Sequence, residues 1–117
     1  MAASARGPWR SGEIFVQPTA CGGGEAVTVS GRWLECQRSE GSQPAPMVAV
    51  EVELSFAPVA DWMTRAWKVL DVGVTDARGN FAFISFATVS GLYRVGVTGS
   101  EGGRHWVSSE EVVVRHP

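Results

Sequence analysis

Over most of this chain apolar and polar residues alternate one by one, the period of a β-strand with one buried face and one wet face. The pattern is clearest at residues 48–56, where Val48, Val50, Val52, Leu54 and Phe56 point one way and Ala49, Glu51, Glu53 and Ser55 the other. Residues 26–34 place Val27, Val29 and Trp33 opposite Thr28, Ser30 and Arg32, with Gly31 interrupting the buried row. Residues 69–75 set Leu70, Val72 and Val74 against Asp71, Gly73 and Thr75, and residues 91–98 gather Tyr93, Val95 and Val97 on one face. A closing strand over 106–115 turns Val112 and Val114 inward. A short first strand is predicted at 13–17 and stops at Pro18, which has no N–H to give to a ladder.

Turn chemistry joins these strands. Between 69–75 and 80–87 stands Asp76-Ala77-Arg78-Gly79, a turn-starting Asp followed by a Gly free to take positive φ. Residues 68–87 therefore read as a hairpin closed by a type I turn with a bulge. Residues 35–47, with Ser39, Gly41, Ser42, Pro44 and Pro46, read as a loop, as do residues 100–104. One segment changes period: Val59, Trp62, Met63, Ala66 and Trp67 are spaced as the stripe of a short amphipathic helix near 58–67. That helix is either a lid over one end of the domain or a protruding apolar surface. Many short strands separated by turn signals predict an all-β sandwich of about seven antiparallel strands.

The length of 117 residues allows one domain, which would bury roughly two-thirds of its unfolded surface. The domain is placed at 13–117 behind an N-terminal arm, 1–12, in which Arg6 and Arg10 flank Trp9. The arm is either a flexible tail or a docking element. Ten basic and twelve acidic residues are scattered rather than blocked, which argues against a nucleic-acid or anionic-membrane partner. No apolar run is long enough for a signal-peptide core or a membrane span, so synthesis in the cytoplasm without the usual export is expected. Cys21 and Cys36 flank a strand about 30 Å long, too far apart for easy bridging, and are expected to be free thiols. Five Trp is a high count for this length, and such side chains are costly to expose unless a partner covers them.

The runs Val27-Thr-Val-Ser-Gly31, 48–54, Trp67, Val74-Thr-Asp-Ala-Arg-Gly-Asn-Phe-Ala-Phe83, Gly91-Leu-Tyr-Arg-Val95 and Ser108-Ser-Glu-Glu-Val-Val-Val114 resemble bacterial and phage immunoglobulin-like domains. The resemblance covers most of residues 25–115. Its Thr-Asp-x-x-Gly-x-Phe and Gly-x-Tyr-x-Val segments also occur in carboxypeptidase-regulatory and transthyretin-like domains. It implies a Greek-key sandwich of seven strands, with Tyr93 as a tyrosine corner whose phenol ties a strand start to nearby backbone. Val95 stands where an antibody domain has its second Cys, so no inter-sheet disulfide is implied. Such domains mostly mediate adhesion, act as spacers, or decorate virions and filaments.

Candidate chemistry is sparse. His105 and His116 have no evident nucleophile beside them, Glu51 and Glu53 share a strand face that reads as solvated, and Glu110 and Glu111 point opposite ways. Asp71, Asp76 and Asn80 match no calcium-loop spacing. No catalytic, cofactor-binding or metal-binding residue is assigned, and no cofactor is expected. The remaining candidates contact a partner: Arg6, Trp9 and Arg10 as a docking arm; Trp62, Met63 and Trp67 as an apolar contact; and Trp106. The sequence-based expectation is a non-enzymatic structural or interaction module. It would be a virion component (capsid decoration or tail protein) assembled in the host cytoplasm, or a filament subunit. The alternative is a carbohydrate-binding or adhesion module of a bacterial surface protein, outside the cell. The expected partner is a protein, in a lattice, in neighbouring subunits or in a homo-oligomer, or else a glycan.

Overall fold

The structure, a computed structural model, describes residues 9–36, 43–59, 66–98 and 103–115, the side chain of Trp9 excepted. It is an all-β sandwich. The strands are β1 (Trp9–Gln17), β2 (Ala20–Gly22), β3 (Glu25–Cys36), β4 (Ala45–Pro46), β5 (Glu51–Pro58), β6 (Lys68–Val74), β7 (Asn80–Ala87), β8 (Gly91–Thr98), β9 (Arg104–Ser108) and β10 (Val113–Arg115). In the first sheet β3 is central, paired antiparallel with β1 on one side and with β7 and β4 on the other. The second sheet has the order β6-β5-β8-β9, all antiparallel. A short third pair joins β2 to β10 in parallel, Val113 to Ala20 through Arg115 to Gly22.

Strand alternation decides what fills the space between the sheets. Val27, Val29, Trp33, Phe81 and Phe83 come from the first sheet, and Val52, Leu54, Tyr93, Val95 and Val97 from the second. Val112 and Val114 close the core beside β2. Val27, Val29, Val52, Val95, Val97 and Val112 are all completely buried. Burial of one such side chain contributes about 2 kcal/mol, against roughly 0–1 kcal/mol for an exposed ion pair. The core therefore sets the stability, and the outer faces are free to carry other tasks. Cys21 and Cys36 are both buried, and Cys21 is a free thiol.

The turn at residues 76–79 forms as expected, but it does not close a hairpin. Gly79 has φ of 79°, its N–H donates to Asp76 O at 3.0 Å, and Asp76 Oδ1 accepts from the Arg78 and Asn80 N–H groups. The strand before it, β6, pairs with β5, and the strand after it, β7, pairs with β3. The chain thus crosses from one sheet to the other. The reason lies at the turn itself. Gly79 O accepts from Trp33 N at 2.9 Å, and a Cβ at Gly79 would lie 2.4 Å from Trp33 O, so the turn is seated on β3. On the other side Thr75 N donates to Val50 O and Thr75 Oγ1 to Met47 O, which holds the end of β6 to the second sheet.

The crossing reverses the predicted facing of 69–75. Leu70, Val72 and Val74 are exposed, and the inward positions are Gly73, packed toward Phe83, and the buried Thr75. Val48 is likewise exposed, because Ala49 takes positive φ and breaks the alternation before β5 begins. Of the helix predicted near 58–67, residues 60–65 lie outside the described residues. β5 runs to Pro58, Val59 begins a 3-10 turn, and residues 66–67 are irregular. The expected arm at 1–12 overlaps the fold: β1 starts at Trp9 rather than Glu13, with Trp9 opposite Cys36 and Gly12 opposite Trp33. Residues 1–8 lie outside the described residues. The predicted closing strand is split into β9 and β10, which join different sheets.

Candidate functional site

The outer face of the second sheet gathers the side chains with chemistry to offer. On β8, residues alternate so that Tyr93, Val95 and Val97 go inward and Arg94 and Gly96 face out. Register places Glu53 of β5, Gly96 of β8 and Trp106 of β9 in one row across three strands. A Cβ at Gly96 would lie 2.5 Å from both Cε3 and Cζ3 of Trp106. Only a residue without that carbon lets the indole lie down on the sheet.

Arg94 is one outward position along from Gly96. Its Cζ stands 3.8 Å from the Trp106 ring centroid and 4.5 Å from that of Trp67, which precedes β6. Arg104 Cζ lies 5.0 Å from the same Trp106 ring, and Arg104 Nη2 pairs with Glu53 Oε2 at 3.3 Å. Two cations, one carboxylate and two indoles are thus packed on one face. Cation–π contacts of this kind contribute about 0.5–2 kcal/mol, more as water is excluded. Arg94 Nε is buried and has no hydrogen-bond partner among the described residues. Burial pushes the Arg94 guanidinium below its ordinary value, with Glu53 opposing that shift and Arg104 adding to it. A guanidinium nevertheless stays protonated at neutral pH. The cluster therefore keeps an excess of positive charge and unused donors.

The structure brings together two of the predicted contact residues, Trp67 and Trp106, which are far apart in sequence. Arg6, Trp62 and Met63 lie outside the described residues. Trp9 is placed on β1. Arg10 is turned into the protein rather than toward a partner: its side chain is 1% exposed, pairs with Glu35 Oε2 at 2.8 Å and contacts His105 Nε2 at 3.2 Å. The Glu35 pairing follows from register, since Arg10 and Glu35 are directly opposite on β1 and β3, and the His105 contact reaches from β1 to β9. His105 accordingly sits in β9 and not in a loop. Sequence reasoning missed Arg94. Its outward parity was legible, but its place beside Trp106 depends on the β8–β9 register. Tyr93 is buried as a tyrosine corner would be, yet its hydroxyl donates to the Ser85 side chain at 2.9 Å rather than to backbone.

No protein-family model matches the chain, and no curated protein matches it. Solved structures do. The chain is similar in fold to a superoxide reductase (neelaredoxin) from Ignicoccus hospitalis, with a TM-score of 0.66 and 14% identity over 97% of this chain and 86% of that one. Two variants of the same reductase give TM-scores of 0.64 and 0.62, each at 15% identity. At such identity the likeness establishes the fold. It also overturns the step from this fold to a non-enzymatic role, because the same sandwich is that of an enzyme. The readings as a virion or filament component, or as a carbohydrate-binding or adhesion module, are withdrawn with it. Reduction of superoxide implies a redox group such as a metal ion. Among the described residues no three His, Cys, Asp or Glu side chains come together to hold one.

Proposed function

We propose that the outer face of the second sheet binds an anionic ligand bearing a carboxylate, with Arg94 as the principal contact and Arg104 beside it. The observation that carries this reading is Arg94 itself, a guanidinium held over two indoles with its Nε unpartnered among the described residues. A planar fork of N–H donors matches a carboxylate in geometry and in charge. The indoles fix the fork in place, which lowers the ordering cost of binding. Glu53 occupies Arg104 and thereby leaves Arg94 as the cation with capacity to spare. Binding of this kind precedes chemistry in any enzyme with an anionic substrate, so the reading is compatible with a catalytic role.

The test is a titration with fumarate, followed by tryptophan fluorescence and by the indole N–H resonances of Trp67 and Trp106. Saturable changes are expected, weakened by added salt and about tenfold weaker in Arg94→Gln, with the fold unchanged. Absence of saturation, or equal binding by Arg94→Gln, would sink the reading.

A further inference from the structure

A second site lies on the opposite side of this sheet, where the edge strands β6 and β7 part. Phe56, Lys68, Leu70, Ser85, Phe86, Ala87, Thr88 and Tyr93 line a half-open cleft of about 200 Å³ at the edge where the two sheets part. Its inner wall is a tilted aromatic pair, Phe56 and Tyr93, with ring centroids 4.9 Å apart. Leu70 and Phe86 flank the opening from β6 and β7. The polar groups differ in kind. Tyr93 Oη donates to Ser85 Oγ at 2.9 Å, so the Ser85 hydroxyl keeps its own hydrogen for another acceptor. Lys68, the only Lys of the chain, is exposed at the rim. Among the described residues, none that lines the space is acidic.

We propose that this cleft binds a small aromatic carboxylate, its ring against Phe56, Leu70 and Tyr93 and its carboxylate at Lys68. A volume of about 150 Å³ accommodates benzene, so the cleft has the size of a single ring with a carboxylate attached. Charge complementarity fixes the second half of the ligand. The rim offers one ammonium with no lining carboxylate among the described residues, and the Ser85 hydroxyl offers a donor. The tilted ring pair favours an aromatic body over an aliphatic one of equal volume. The site is separate from the Arg94 face, because strand alternation sends Phe56 and Tyr93 inward and Arg94 outward.

Benzoate is the probe, with benzyl alcohol as its neutral counterpart, both titrated while backbone amide resonances are followed. The unmodified chain and Arg94→Gln are compared, so that failure of the outer-face reading leaves this one testable. Saturable shifts at Leu70, Ser85, Ala87 and Tyr93 are expected in both chains. Lys68→Gln, a change at an exposed position, should weaken benzoate about fivefold and leave benzyl alcohol unchanged. Leu70→Trp should fill the space and abolish both shifts. Shifts confined to the surroundings of Trp67 and Trp106, no saturation, or benzoate affinity unchanged in Lys68→Gln would each overturn the proposal.

Discussion

A single carboxylate organises the crossing between the sheets. Asp76 Oδ1 accepts from Arg78 N at 2.8 Å and from Asn80 N at 2.9 Å, while the Asp76 backbone bonds to Asn80 and Gly79. Those backbone donors stabilise the charged form and hold the carboxyl below its ordinary value of 3.8. The sign follows. A group whose folded value is depressed contributes stability that is present above the unfolded value and is lost as pH falls through the folded one. Asp76→Ala is therefore expected to melt at a lower temperature than the parent at neutral pH, with the difference shrinking in acid well below pH 3.8. Circular-dichroism melts at neutral pH and near pH 2 read this directly. A difference of equal size at both would show that the turn depends on shape and not on the charge.

At the scale of one element, β6 is the exposed strand of greatest consequence. Among the described strands it pairs with β5 alone, and Val69, Leu70, Val72 and Val74 are all exposed along it. An apolar edge of this kind invites another chain to pair with it. Two features oppose that. The β5–β6 register shifts between Leu54 and Ser55, a bulge that bends the edge, and Asp71 Oδ1 takes the Val72 N–H at 2.8 Å. A donor already occupied by its neighbour's side chain is not available to an incoming strand. Asp71→Val should remove both the charge and the cap and produce concentration-dependent association. Sedimentation velocity over a wide concentration range would show it as a growing fast component in the variant and its absence in the parent. If the variant stays monomeric, the bulge alone protects the edge.

For the whole molecule, the sequence pattern revealed the strands better than their partners. Trp33, Val52, Leu54, Tyr93, Val95, Val112 and Val114 are buried as alternation predicts, because each lies in a strand flanked closely by others. The valines of β6 defeated the same reasoning. Alternation states that two faces differ, and only sheet membership states which of them is covered. The site was half legible for a related reason. Trp67 and Trp106 were visible as costly residues to expose, whereas Arg94 gained its meaning from a register no local pattern encodes. The parallel pairing of β2 with β10 has a consequence of another sort. Tension carried along the chain would enter β2 at Ala20 and leave β10 at Arg115, at opposite ends of a side-by-side pair. The hydrogen bonds between them, with Val113 N to Thr19 O at 2.8 Å, would be strained together in shear rather than unzipped in turn. Val113→Pro deletes that donor and is expected to lower the rupture force in single-molecule stretching. A pull between Ala20 and Arg115 thus loads this pair along its length and not across it.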